Sequence, residues 1–222
     1  MNPQMIPILE ETLARGFETL VLTNAMRPMM RRKEQLTTLR DAHDAQLRFR
    51  VSLDDHRAEF HDAERGPGAF GKAMEGLRFL SREGFQIEIA GRRLSHEPEG
   101  VARAGYGELF RREGIKVDCN DPVQLVIFPE MIADASPPEI TEACWSILDK
   151  SPDDVMCATS RMVVRRKGAD APAVLACTLI AYDERFELGR TLKKASGSVP
   201  LTHRYCATFC VLGGAACGGS KS

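Results

Sequence analysis

The feature that most limits what this chain can fold into is a repeat between residues 19 and 128. A short apolar, β-branched run recurs four times: TLVLTN (Thr19 to Asn24), LRFRVSLDD (Leu47 to Asp55), FQIEIAGRR (Phe85 to Arg93) and Val123 to Phe128 within PVQLVIFPEM. The runs start about 30 to 40 residues apart, the pitch of repeated βα units and a parallel sheet. Helical spacing fills the gaps. The basic, Leu-containing stretch from Met30 to Ala45 reads as one helix, and a fourth helix runs near Ala102 to Glu113. Between them, GPGAFGKAMEGLRFLSREG gives a glycine-rich loop and a helix with Phe70, Met74, Leu77 and Leu80 on one face, ending at Gly84. Ahead of the first run, Asn2 as cap, Pro3 in the first turn, and Met5, Ile6, Leu9 and Leu13 at helical spacing predict a helix closed by Gly16. If each helix of the series follows a strand, the strand before Asn2 is missing.

Two architectures give this alternation, an open doubly wound sheet and a β/α barrel, and periodicity does not separate them. The strand ends carry polar groups: Thr23 and Asn24, then Ser52 with Asp54 and Asp55, then Arg92 with Arg93. In a barrel such groups converge on the C-terminal mouth, where ligands bind. Singly, each has a plainer reading: a Thr-Asn turn, a Ser-x-Asp-Asp cap, a solvated arginine pair.

Beyond Pro137-Pro138 the composition shifts, which divides the chain into residues 1-136 and a cysteine-rich 137-222. ITEACWSILDK reads as a short helix with Cys144 and the single tryptophan. Met162 to Arg165, the loop KGADAP and Ala173 to Ile180 read as a β-hairpin, followed in FELGRTLKKASGS by a turn and short helix. Cys157 precedes the hairpin and Cys177 lies in its second strand. His203, Cys206, Cys210 and Cys217 fall within the closing HRYCATFCVLGGAAC.

Seven cysteines is an odd count, and the N-terminus has no basic region followed by an uninterrupted apolar stretch, so the expected compartment is reducing cytosol. Disulfides are then disfavoured, leaving zinc, an iron–sulfur cluster or unliganded thiols. The tail lacks the Cys-x2-Cys hooks of zinc knuckles, whereas iron–sulfur clusters accept irregular spacing. Cys119 and Cys144 read as small buried hydrophobes rather than ligands, and His203 as a ligand or a hydrogen-bonding neighbour of the site. With 30 basic and 31 acidic side chains, no overall field draws the chain to nucleic acid or an anionic membrane. No apolar run approaches the roughly 20 residues of a transmembrane helix.

Three pieces in order, NPQMIPILEETLARGFETLVLTNAM, RFRVSLDD and FHDAERGPGAFGKAMEGLRFLSREGF, resemble the radical SAM superfamily across residues 1 to 130. There a helix follows a glycine-glycine-glutamate-proline motif, then come a strand ending in Thr-Asn and one ending in Ser-x-Asp. The second part is similar to the auxiliary-cluster extensions of that superfamily, of the SPASM or twitch kind. In those, a cysteine precedes a hairpin, another ends it, a Leu-Gly turn follows (here Leu188-Gly189), and a cysteine cluster closes the domain. The spacing around Cys206 departs from the full SPASM pattern.

The resemblance implies a partial (β/α) barrel lacking its first strand, with a small α+β domain containing the hairpin. It implies S-adenosylmethionine at the barrel mouth, lined by Thr23 and Asn24 and hydrogen-bonded by Ser52. Arg92 or Arg93 would pair with the methionyl carboxylate, which the planar guanidinium fork suits, and the backbone at Ile127 to Phe128 would pack on the adenine. An auxiliary 4Fe-4S cluster would be held by Cys157, Cys177, Cys206, Cys210 and Cys217. Electrons would come from a flavodoxin or ferredoxin, and the substrate would be a peptide or a small molecule.

The family's Cys-x3-Cys-x2-Cys loop, which holds the catalytic 4Fe-4S cluster, does not occur in this sequence, nor does the glycine-glycine-glutamate-proline motif. The expectation is an N-terminally truncated, cytoplasmic fragment, inactive alone, whose catalytic cluster belongs to a full-length form. A reading from another class is a non-enzymatic zinc-binding β/α interaction module.

Overall fold

Alternating apolar residues let a strand bury one face, and the four runs do so side by side. In a computed structural model, which describes residues 3–43, 46–94, 96–130, 136 and 139–212, the strands are β1 (Thr19–Thr23), β2 (Leu47–Ser52), β3 (Gln86–Arg92) and β4 (Leu125–Phe128). They lie in chain order, each neighbouring pair parallel. Among the described strands the order does not reverse, so they hold no switch point of the doubly wound kind. The helices are α1 (Met5–Ala14), α2 (Arg27–Met30), α3 (Lys33–His43), α4 (Ala58–Arg65), α5 (Ala69–Arg82) and α6 (Glu99–Glu113). The chain divides into two compact units, residues 1–130 and 131–222.

The two faces of the parallel sheet differ in chemistry. Phe49, Val51, Ile87, Ile89 and Leu125 join Leu9 and Leu13 of α1, Leu36 and Leu39 of α3, Leu77 and Leu80 of α5 and Phe110 of α6 in one core. Each such side chain contributes about 1.5–3 kcal/mol when fully buried. The alternate positions of β2 and β3 carry Arg48, Arg50, Ser52, Glu88 and Arg92. Arg50 and Glu88 face each other in register, both buried, with Arg50 Nη2 2.6 Å from Glu88 Oε2; Arg48 adds a contact to Glu88 at 3.5 Å.

Two close approaches tie the first unit together. A methyl group at Gly76 on α5 would overlap the backbone carbonyl of Ala25, so only glycine lets the chain leaving β1 lie against that helix. Ala25 itself is fully buried with φ of 54°. At Gly91 of β3 the phenol of Tyr106 occupies the space a Cβ would take, and Tyr106 Oη donates to the Leu53 carbonyl at 2.7 Å.

The second unit has shorter elements: α7 (Ala143–Ile147), α8 (Met156–Thr159), β5 (Met162–Val164), β6 (Ala173–Leu175) and β7 (Glu187–Gly189). The three strands form an antiparallel sheet in the order β5-β6-β7. Its packed cluster is Ala176, Ile180 and Phe186. No helix among the described residues is long and apolar enough to cross a membrane.

The parallel strands and the start of the hairpin stand where the sequence puts them, but the return strand stops at Leu175 instead of Ile180, where a 3-10 turn at Thr178–Ile180 takes over, so Cys177 lies beyond the strand rather than in it. The segment read as one helix from Met30 to Ala45 is two, α2 and α3, and begins earlier, with Pro28 in the first turn of α2. α4 is not anticipated by apolar spacing, since its one buried residue is His61. The Leu188-Gly189 turn is part of a strand, because Val174 pairs with Gly189 and Leu175 with Glu187; three residues are too few for an alternation signal. The Asn2 cap, Ala45 and Pro137-Pro138 lie outside the described residues.

Candidate metal centre

Cys157, Cys177, Cys206 and Cys210 border one apolar cavity of the second unit, whose walls also include Met156, Ile180, Leu201 and Tyr205. The four cysteines arrive on three pieces of local structure. Cys157 lies in the single turn of α8, and Cys177 follows β6, where extended backbone (φ −160°, ψ 173°) leads into a 3-10 turn at Thr178–Ile180. Cys206 and Cys210 belong to a π-helical segment, Cys206–Val211. Spaced four apart, they lie about one turn from each other and so share a side. π-Helical turns are rare and recur at functional sites.

None of the four is in a disulfide. Burial pushes the Cys206 thiol up to about 11. Burial also raises Cys157 and Cys210, and the charges of neighbouring cysteines add to the rise in both. The Cys157, Cys206 and Cys210 thiols are therefore protonated at neutral pH. A metal that binds as it deprotonates them must release protons, so its affinity rises with pH.

The free space between the thiols is about 20 Å³, room for a body the size of one water. As they stand, no group of three or more His, Cys, Asp and Glu side chains among the described residues is placed to hold a metal ion. Four soft thiols bordering one apolar pocket are a donor set that zinc or an iron–sulfur cluster could take. Cys217 lies outside the described residues.

Other candidates stand away from this cavity. His203 is not on its wall: Nδ1 accepts from the Tyr205 N–H at 3.1 Å, and the ring packs against Phe186 and Tyr205. Cys119 is part of the first unit's core, where burial pushes its thiol to about 11. Cys144 Sγ accepts from the Thr141 N–H at 3.5 Å.

In the first unit, Thr23, Ser52 and Arg92 come to the C-terminal edge of the sheet, where register sets Thr23 beside Val51, Ser52 beside Ala90 and Arg92 beside Phe128. Alternation separates them: Thr23 falls on the face of Val21 and Phe49, while Ser52 and Arg92 fall on the opposite face with Arg50. Thr23 Oγ1 accepts from the Ala25 N–H at 3.0 Å and Asn24 Oδ1 from the Met26 N–H at 3.2 Å. Both residues border a cleft of about 280 Å³ that also touches Met5, Val21 and Met29.

The Arg92 guanidinium is engaged by Glu64 at 3.1 Å and Asp54 at 3.4 Å. Arg93 Nη1 donates to the Glu97 carbonyl at 3.2 Å. Burial would raise the Asp54 carboxyl, but the Arg65 hydrogen bond and the charges of Arg92 and Arg65 outweigh it and hold the group below its usual range.

Three features escaped the sequence reading. The Arg50–Glu88 pair had a signal, since both are charged residues at the same alternate position of consecutive apolar strands. Lys150 and Arg161 had none. Lys150 Nζ donates to the carbonyls of Val211 at 2.8 Å and Cys210 at 3.3 Å. Arg161 donates to four carbonyls, those of Cys157, Ser160 (2.8 Å), Ala195 (2.6 Å) and Gly197 (2.9 Å).

Comparison with known proteins adds no relative: no protein-family model matches the chain, and no curated protein matches it.

Proposed function

We propose that this chain is part of a radical SAM iron–sulfur enzyme, with its first unit a partial β/α barrel for S-adenosylmethionine and its second unit holding an auxiliary 4Fe-4S cluster. The observation that carries the reading is the meeting of Cys157, Cys177, Cys206 and Cys210 around one apolar cavity. Thiols so far apart in the chain, left unpaired in a dry pocket, are what a cluster held by cysteine requires. Bound there, the cluster would supply one-electron transfer or an open iron for substrate.

The barrel part rests on two features. The strand order runs without reversal, as crossovers of the usual single hand would give, and the core joins α1, α3, α5 and α6 to a single face of the sheet. The other face is charged and would be a barrel interior, with Ser52 and Arg92 at its C-terminal rim. β1 pairs only with β2 among the described residues, so a further parallel strand has an edge to join.

In this reading Ser52 hydrogen-bonds the ribose or methionyl part of S-adenosylmethionine, and Arg92 or Arg93 meets the carboxylate. Arg92 does so by exchanging Glu64 or Asp54 for it. Thr23 and Asn24 shape the turn that lines the pocket. The radical-generating step needs the Cys-x3-Cys-x2-Cys cluster, which this sequence does not contain.

The test is anaerobic purification and reconstitution with iron and sulfide. The expected product is brown, absorbs broadly near roughly 400 nm and contains both elements, and Cys206→Ser abolishes the colour. Colourless protein with about one zinc per chain would instead establish the interaction module. The chain alone should yield no 5′-deoxyadenosine from S-adenosylmethionine under dithionite.

A further inference from the structure

Two of the four cavity cysteines carry a cation on their own main chain. Lys150 follows Asp149, whose φ of 50° closes α7, with Lys150 N–H donating back to the Trp145 carbonyl at 2.9 Å. That turn sends the ammonium to the end of the π-helical segment, where it meets the carbonyls of Cys210 and Val211. Arg161 spreads its guanidinium over the Cys157 turn and the Ala195–Gly197 loop, so one side chain joins two segments. Both side chains are half-buried, where charge is screened less than at the surface.

We infer that Lys150 and Arg161 are positioning residues for the cluster site, which hold the Cys210 and Cys157 segments and set the reduction potential of the cluster bound there. The inference rests on the iron–sulfur reading of the cavity. A cluster ligated by thiolates gains negative charge on reduction, so a cation fixed on the main chain of its ligands stabilises the reduced form more than the oxidised one. The two cations differ in use. Lys150 meets one segment as a point charge, whereas the planar fork of Arg161 ties two segments in fixed geometry.

The experiment is a redox titration of the anaerobically reconstituted full chain, followed by electron paramagnetic resonance, with iron content measured on the same samples. Lys150→Met should keep its iron while the reduced-to-oxidised ratio at fixed potential falls about tenfold, equivalent to about 59 mV for one electron. Lys150→Arg should titrate like the parent. Arg161→Lys keeps the charge and loses the fork, so iron content should fall while the cluster that remains titrates at the parent potential.

If Lys150→Met fails to load, Lys150→Gln, which can still donate to the two carbonyls without a charge, gives the same reading. Parent-like potentials in Lys150→Met and Lys150→Gln, with full iron in Arg161→Lys, would overturn the inference. A parent chain that takes up no iron and sulfide would instead overturn the reading on which it rests, before any variant is compared.

Discussion

The first unit buries one continuous apolar core that runs from Ile6 on α1 to Leu125 on β4, on strands of four to seven residues. In the second unit the strands are three residues long and the packed cluster is Ala176, Ile180 and Phe186. Its segments are also pinned through polar anchors: Arg161 on four carbonyls and Lys150 on two. The first unit can draw its stability from area removed from water. Among the described residues the second buries fewer apolar side chains, Val174, Leu175, Ile180, Phe186, Phe209 and Val211 among them, and four of its cysteines border one cavity beside them. A small unit with that balance gains most from a metal centre, because binding free energy becomes folding free energy.

The sharpest test of that contrast is removal of the metal from the proposed cluster site. Chelating iron from the loaded chain should cost the second unit several kcal/mol, seen as new proteolytic cleavage beyond residue 140, while amide exchange in β2 and β3 stays protected. Equal loss in both units would end the comparison. Next in size is the charged pair inside the first unit. Glu88→Ala leaves Arg50 buried without its partner carboxylate and should cost about 3–5 kcal/mol, measured by urea denaturation, with no change in iron uptake by the second unit.

Gly76→Ala pushes a methyl into the Ala25 backbone and should cost about 3 kcal/mol; a parent-like urea midpoint would show that α5 can retreat from β1. The fourth effect is gradual. Burial holds the His61 imidazole below its ordinary value of 6.5, more than neighbouring carboxylates raise it. Below pH 6.5 the unfolded chain therefore binds a proton that the folded chain does not, so the first unit loses stability as the pH falls toward the lowered folded value. His61→Gln should flatten that slope in melting temperatures between pH 7.5 and 5. The smallest belongs to the second unit: Asp149→Gly relieves a left-handed residue and should stabilise by about 0.5–1 kcal/mol.

Much of the first unit was legible because its elements repeat a pattern long enough to register. Phe49 and Val51 alternate with Arg48 and Arg50, and α5 carries Ala73, Met74, Leu77 and Leu80 at helical spacing. α4 was not legible, since AEFHDAER buries one histidine and has no apolar stripe. The break between α2 and α3 at Arg31-Arg32 has neither glycine nor proline to mark it. At the candidate centre, the cysteines were legible as a set but their convergence was not. Spacing says nothing of whether Cys177, after a three-residue strand, meets Cys206 on a π-helical turn.

The sequence by itself determined the βα repeat, the hairpin and which thiols could serve as soft donors, because periodicity and side-chain chemistry are local properties. Only the tertiary structure decided that the sheet runs in unbroken order with a charged second face, because pairing is a choice among distant strands. It alone set Arg50 against Glu88, brought four cysteines to one cavity and laid Lys150 and Arg161 on the carbonyls of two of them. Those are contacts between residues up to 61 positions apart, and no local pattern encodes them.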